Sequence, residues 1–144
     1  MRHFLLGNNV VGDVGAEKIA EMVNNRESDE PIETLYLAGN EFTSTGSKAL
    51  ATALATDTSV TSLWLKRNPL GPEGASYLAD MLTTNDTLEV LDLVNTATSN
   101  DGVEAIFKAL RENTGLPRLW LMFGFRNVRP PAWRVGGLFR TLLG

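Results

Sequence analysis

LYLAGNEFTSTGSKALATAL, residues 35 to 54, changes its hydrophobic period halfway along. Its opening, from Thr34 to Gly39, alternates with a period of two, which predicts a short strand with Leu35 and Leu37 on one face and Tyr36 on the other. Its second half, Gly46 to Ala55, sets Leu50, Ala51, Leu54 and Ala55 at i, i+1, i+4 and i+5. That spacing makes one apolar stripe on a helix, with small alanines that allow close packing on the strand layer. Asn40 stands where strand gives way to turn, and its short amide can satisfy turn backbone groups that no ladder reaches.

The same construction recurs as LWLKRNPLGPEGASYLADML, residues 63 to 82. Five segments share the spacing apolar, any, apolar, any, any, Asn: Phe4, Leu6, Asn9; Leu35, Leu37, Asn40; Leu63, Leu65, Asn68; Leu91, Leu93, Thr96; and Leu119, Leu121, Gly124. A glycine follows six residues later in four copies, at Gly15, Gly46, Gly74 and Gly102, with helical apolar positions behind it at Ile19, Leu50, Leu78 and Ile106. Helix exits at Asn25, Asp57, Asn85 and Asn113 precede Ile32, Val60, Leu88 and Leu116, which are placed to plug the gap between units. Parallel strands are therefore expected at residues 4 to 8, 34 to 38, 62 to 66, 90 to 94 and 118 to 122, with helices after the first four. One such unit cannot bury both faces, so units must stack into an α/β solenoid. Strands lie about 4.8 Å apart and packed helices about 8 to 10 Å, so the sheet side is expected to be concave.

These residues resemble the 28-residue repeats of leucine-rich repeat proteins of the ribonuclease-inhibitor type, over about residues 4 to 124. That class includes ribonuclease inhibitor, the repeat arrays of NOD-like receptors, Ran GTPase-activating protein and tropomodulin. The resemblance implies a leucine-rich repeat horseshoe with its parallel sheet on the concave side and its helices on the convex side. It also implies recognition of a partner protein on the open curved surface, with the identity of the partner set by exposed residues. The array is expected over residues 1–124, and residues 125–144 are expected as a divergent basic cap or tail. There Arg129, Pro130 and Pro131 interrupt the pattern, and Val135, Leu138, Phe139 and Leu142 suit a short amphipathic helix.

Composition narrows the function. The formal charge is −4, but residues 117 to 144 hold five arginines and no acid, so the first 116 residues carry eight Lys and Arg against 17 Asp and Glu. An acidic body disfavours nucleic acid as the ligand. No apolar run approaches the roughly 20 residues of a membrane-spanning helix, so no membrane partner is expected. Without cysteine there is no disulfide, thiolate nucleophile or Cys-based zinc site, which leans towards a reducing, cytoplasmic setting.

The residue between the strand leucines projects from the concave face: Leu5, Tyr36, Trp64, Asp92 and Trp120. The next outward row is Gly7, Ala38, Lys66, Val94 and Met122, with Arg67 beside it. Tyr36, Trp64, Lys66, Arg67, Asp92 and Trp120 are the expected protein-binding residues, since aromatics supply large contact area at low rotamer cost. The same aromatics also fit a shield over the sheet that binds nothing. Two other functions compete: a regulator of enzyme activity, GTPase-activator-like, acting through the loops Asn40 to Gly46 and Asn68 to Gly74, and a structural subunit or self-associating chain whose bare strand Phe4 to Asn9 pairs with a neighbour.

No catalytic residue, cofactor or metal site is expected. His3 is the only histidine and has no evident partner. GDVG and GPEG recur in helical phase without the Lys-Ser/Thr of a phosphate loop. Asp13, Glu17 and Glu21 read as a solvated helix face. Asn85-Asp86-Thr87 fits a glycosylation sequon but reads as a helix exit, and Asn100-Asp101 reads as the N-cap of the fourth helix.

Overall fold

The computed structural model describes residues 2–27, 30–116, 118–124 and 139–143. Strand and helix alternate along the chain as β1 (His3–Leu5), α1 (Gly12–Asn25), β2 (Thr34–Tyr36), α2 (Ser44–Leu54), β3 (Ser62–Trp64), α3 (Gly71–Leu82), β4 (Val90–Leu93), α4 (Ser99–Glu112), β5 (Leu119–Phe123) and β6 (Phe139–Leu143). The strands form one parallel sheet in chain order, and each helix packs on the next. This is the α/β solenoid that the alternating periods predict, with the leucine-rich repeat architecture that the resemblance implies. The regular strands are shorter than expected, yet single backbone bonds carry the ladder on, as from the Arg67 N–H to the Val94 carbonyl at 2.9 Å.

The core lies between sheet and helices. Leu35, Leu37, Leu63, Leu65, Leu50 and Leu78 are fully buried, and the plugs Ile32, Val60 and Leu88 join them. Helices approach closely because glycine stands at the contact: a Cβ on Gly102 would lie 2.7 Å from the Ala75 Cβ. Where Gly74 has the carbonyl, the Ser47 hydroxyl donates to it at 2.8 Å from the neighbouring helix.

Asparagines bind the units in series. Asn68 Nδ2 donates to the Leu37 and Leu65 carbonyls at 3.0 and 2.8 Å, while its Oδ1 accepts the N–H groups of Asn40 and Phe42. Asn40 does the same towards Leu6 and Asn9. Thr96, in the same column, makes a bond from its hydroxyl to the Leu93 carbonyl at 2.7 Å. At the helix exits Asn85 Nδ2 reaches back to the Leu54 carbonyl and Asn113 Nδ2 to that of Leu82. Asn85 is therefore a buried structural amide, as its helix-exit reading implies.

Three expectations need correction. The fifth unit is slipped by two residues: Leu91 pairs with Leu121, not Leu119, and Val90 with Trp120. Strands β2, β3 and β4 are 28 residues apart at their paired positions, whereas β4 and β5 are 30 apart. A slip of two keeps every side chain on its face, so Leu119, Leu121 and Phe123 all stay buried and the hydrophobic pattern is blind to it. Second, α4 starts at Ser99 with Thr98 as N-cap, so Asn100 and Asp101 lie inside the first turn, where the Asp101 carboxylate favours the helix dipole. Third, Phe139 and Leu142 lie on strand β6, paired with β5, and not on a helix. Backbone pairing to an open sheet edge outweighs the helical spacing there. Val135, Leu138 and the Arg129 to Pro131 break lie outside the described residues.

Candidate functional site

The sheet face opposite the helices carries the residue that sits between the two buried positions of each strand. In register these are Leu5, Tyr36, Trp64, Asp92 and Met122. Trp120 lies on the same face but one row nearer the strand starts, beside Val90. The expected row of Tyr36, Trp64, Asp92 and Trp120 therefore ends on Met122, and Asp92 does not sit between two tryptophans. Two residues of strand displace Trp120 along the sheet by about 6.6 Å.

Tyr36 and Trp64 meet across β2 and β3 with ring centroids 6.1 Å apart, tilted by 44°. Lys66 lies over both, its Nζ 5.6 Å from the Tyr36 ring and 5.9 Å from the Trp64 ring. The two rings are half-buried, so a partner would meet a broad apolar surface with a cation already docked on it.

Asp92 is buried beside Trp64, with Oδ1 accepting the Val94 N–H at 3.0 Å. Burial pushes its carboxyl above the ordinary carboxylate value, against the opposing pull of the Val94 N–H and the Lys66 charge. It acts as a floor to the patch and not as a projecting charge.

Arg67 is exposed and follows the strand at φ 59°. The same turn position holds Asn8, Gly39 and Asn95 in the other units, all at positive φ. Asn and Gly suit that left-handed backbone, while a long side chain there costs about 1 kcal/mol or more.

Sequence reasoning missed the work of Asp13, taken for part of a solvated stripe. Its Oδ1 accepts the N–H groups of Thr43 and Gly46 at 2.8 and 2.9 Å, and its Oδ2 the Thr43 hydroxyl at 2.5 Å. It braces the start of α2 from the preceding unit. Burial alone would raise its pKa, but those three bonds together hold it below the ordinary value. Glu17 and Glu21 are exposed, as expected of a solvated face, with Lys18 bonded to Glu21 at 2.9 Å. His3 Nδ1 meets the Thr34 hydroxyl at 3.1 Å. Among the described residues no group of three His, Asp or Glu is placed to hold a metal ion, and no helix is long and apolar enough to cross a membrane.

Comparison with known proteins agrees with the fold. A family model described as a leucine-rich repeat matches residues 1–20 and 56–79. The chain has the fold of a leucine-rich repeat array. Among solved structures, the leucine-rich repeat array is similar to one titled leiomodin-1 actin-binding site 2, with a TM-score of 0.76 and 22% identity. The match covers 88% of this chain and 72% of that one, and at that identity it shows the fold. A sequence search of curated proteins found no match.

Proposed function

We propose that this leucine-rich repeat array binds another protein through its concave sheet face and is not an enzyme. The observation that carries the reading is the Tyr36 and Trp64 pair under Lys66, on the face that the helices leave uncovered. Adjoining aromatics with a charged rim are the chemistry of protein-binding hot spots. Arg67 and Asp92 border the pair, and Trp120 adds area one row away. The likeness to an actin-binding structure supports protein recognition as the class of activity; the actin belongs to that protein. The 28-residue spacing of β2, β3 and β4 supports the ribonuclease-inhibitor subtype.

The test is capture of partners by the parent chain and by Trp64→Ala. Loss of a central aromatic anchor is expected to weaken binding about thirtyfold, or about 2 kcal/mol. Unchanged affinity would make the tryptophan a shield for the sheet and end this reading. A second reading, regulation of an enzyme through the strand-to-helix loops, is favoured by the left-handed backbone of exposed Arg67 and Glu41 there. It takes first place if Arg67→Ala abolishes binding and Trp64→Ala leaves it intact.

A further inference from the structure

Lys66 and Arg67 stand side by side where β3 leaves the sheet, and among the described residues neither is in an ion pair. The ion pairs found there join Arg2 to Glu33, Lys18 to Glu21 and Arg26 to Asp57. The first 116 residues hold 17 Asp and Glu against eight Lys and Arg, yet no acid is set against these two cations. Asp92 is buried, gives an oxygen to the Val94 N–H, and feels the Lys66 charge without pairing with it. Glu33 and Glu89 precede β2 and β4, at the opposite end of the strands. Glu41, on the turn of the unit before, is exposed and makes no ion pair.

The pair of cations is also local. In the other units the counterparts of Lys66 are Gly7, Ala38 and Val94, and those of Arg67 are Asn8, Gly39 and Asn95, none of them charged. The rings beside them form a platform. A Cβ on Gly7 would come within 2.6 Å of the Tyr36 ring, so the glycine lets that ring settle on the sheet, with Trp64 on its other side. Lys66 lies over both rings, which attract its charge but accept no conventional hydrogen bond from its ammonium. Arg67 carries a planar fork of donors that matches a carboxylate, and the fork is exposed.

We infer that the concave site takes an acidic segment of its partner protein: an apolar or aromatic side chain sits on Tyr36 and Trp64, and an Asp or Glu close to it in sequence accepts from Lys66 and Arg67. This rests on the concave-face reading proposed above and adds the chemistry of the partner. Trp64 and Lys66 are alternate residues on one face, about 6.6 Å apart along the strand direction, which is the separation of alternate side chains on an extended partner segment. A basic segment would instead bring a further positive charge against two that have no counter-ion, and like charges so placed oppose binding.

Panning a phage-displayed library of random peptides, each about twelve residues long, on the full chain tests this. The expected result is enrichment of Asp or Glu within two residues of Trp, Tyr, Phe or Leu, with Lys and Arg depleted. Fluorescence anisotropy of the selected peptides should show affinity falling between about 0.05 and about 0.5 M salt, because the charges are at the surface. The double variant Lys66→Glu, Arg67→Glu is expected to bind them about tenfold or more weakly, and to enrich basic peptides when panned itself. Lys66→Gln with Arg67→Gln removes the charges without reversing them and should lose affinity too. Neither residue is buried, so both variants should keep the circular dichroism of the parent. Peptides lost on Trp64→Ala but without acidic preference overturn the inference and leave the concave-face reading standing; peptides indifferent to Trp64→Ala overturn both. A library that yields no enriched sequence overturns the inference, as do acidic peptides that bind the Glu double variant as tightly as the parent. So does tighter binding of single-stranded oligothymidine than of any selected peptide, which would make the rings a platform for stacked bases.

Discussion

Asn68 Oδ1 accepts the backbone N–H of Asn40 at 2.8 Å, so a side chain of one unit closes the turn of the unit before it. The same amide holds three more groups: the Phe42 N–H and the carbonyls of Leu37 and Leu65. All of this is buried, where a polar group left without a partner costs about 1 to 3 kcal/mol.

Asn68→Ala is therefore expected to destabilise the array by about 3 to 5 kcal/mol, since it strands several of these groups at once. Urea unfolding of the full chain measures it. A loss under about 1 kcal/mol would mean that water replaces the amide without penalty.

Thr96 stands in the same column with its hydroxyl on the Leu93 carbonyl, and it lacks the second arm of an amide. Thr96→Asn should restore that arm and raise stability by about 1 kcal/mol, the usual net gain of an added hydrogen bond. The same urea titration checks it, and a lower midpoint would show that the turn has no room for the longer side chain.

Much of this was legible because the chain repeats itself. Leu35 and Leu63 declare the strand, Gly46 and Gly74 the helix, and Asn40 and Asn68 the join between units, each twice over at a fixed distance. The slip before β5 was not legible. Asn113 keeps its 28-residue step from Asn85, so the two extra residues enter between the helix exit and Leu119, where no repeated side chain marks the place. Asp13 escaped for a different reason: its neighbours Glu17 and Glu21 do face solvent, and its partners lie 30 and 33 residues away. Of the candidate site, the Tyr36 and Trp64 pairing could be read from the 28-residue step. The position of Lys66 over both rings could not, because side-chain direction is not in the spacing.

Arg67→Gly separates surface use from backbone strain. Glycine adopts φ 59° freely, which removes a cost of about 1 kcal/mol that arginine carries there. Thermal unfolding should show a protein at least as stable as the parent, while capture of a partner weakens. A fall in stability would show that the Arg67 side chain holds the turn together.

Two carboxyls give opposite pH responses. The Asp13 pKa is held low, so the stability it adds is present above the ordinary carboxylate value and is lost as pH falls through its depressed folded value. Asp13→Asn should therefore cost stability at neutral pH and make the acid loss of stability shallower. The Asp92 pKa is raised by burial, so its favourable contribution is present below the ordinary value and is lost as pH rises through the raised one. Asp92→Asn keeps an oxygen for the Val94 N–H, and should gain on the parent at neutral pH with the gain vanishing in acid. Denaturant midpoints over about pH 3 to 7 decide both, around the ordinary carboxylate value near 3.9. A gain for Asp92→Asn that grows in acid would contradict the sign.

Adjacent residues at the end of β3 should answer differently to the same truncation. Leu65 is wholly buried in the core, and Leu65→Ala is expected to cost about 2 to 5 kcal/mol through the cavity it leaves. Trp64 faces the other way, half-exposed, and packs on Tyr36 with Lys66 above. Trp64→Ala gives up one aromatic contact and one cation–π contact, about 1 kcal/mol each. Thermal unfolding of the two variants beside the parent is the measurement. Leu65→Ala should melt far below Trp64→Ala, although leucine is the smaller side chain, because burial and not size sets the loss. If Trp64→Ala proves the more damaging, the tryptophan belongs to the folding core of the sheet, and the concave face loses its claim to be a surface kept for a partner.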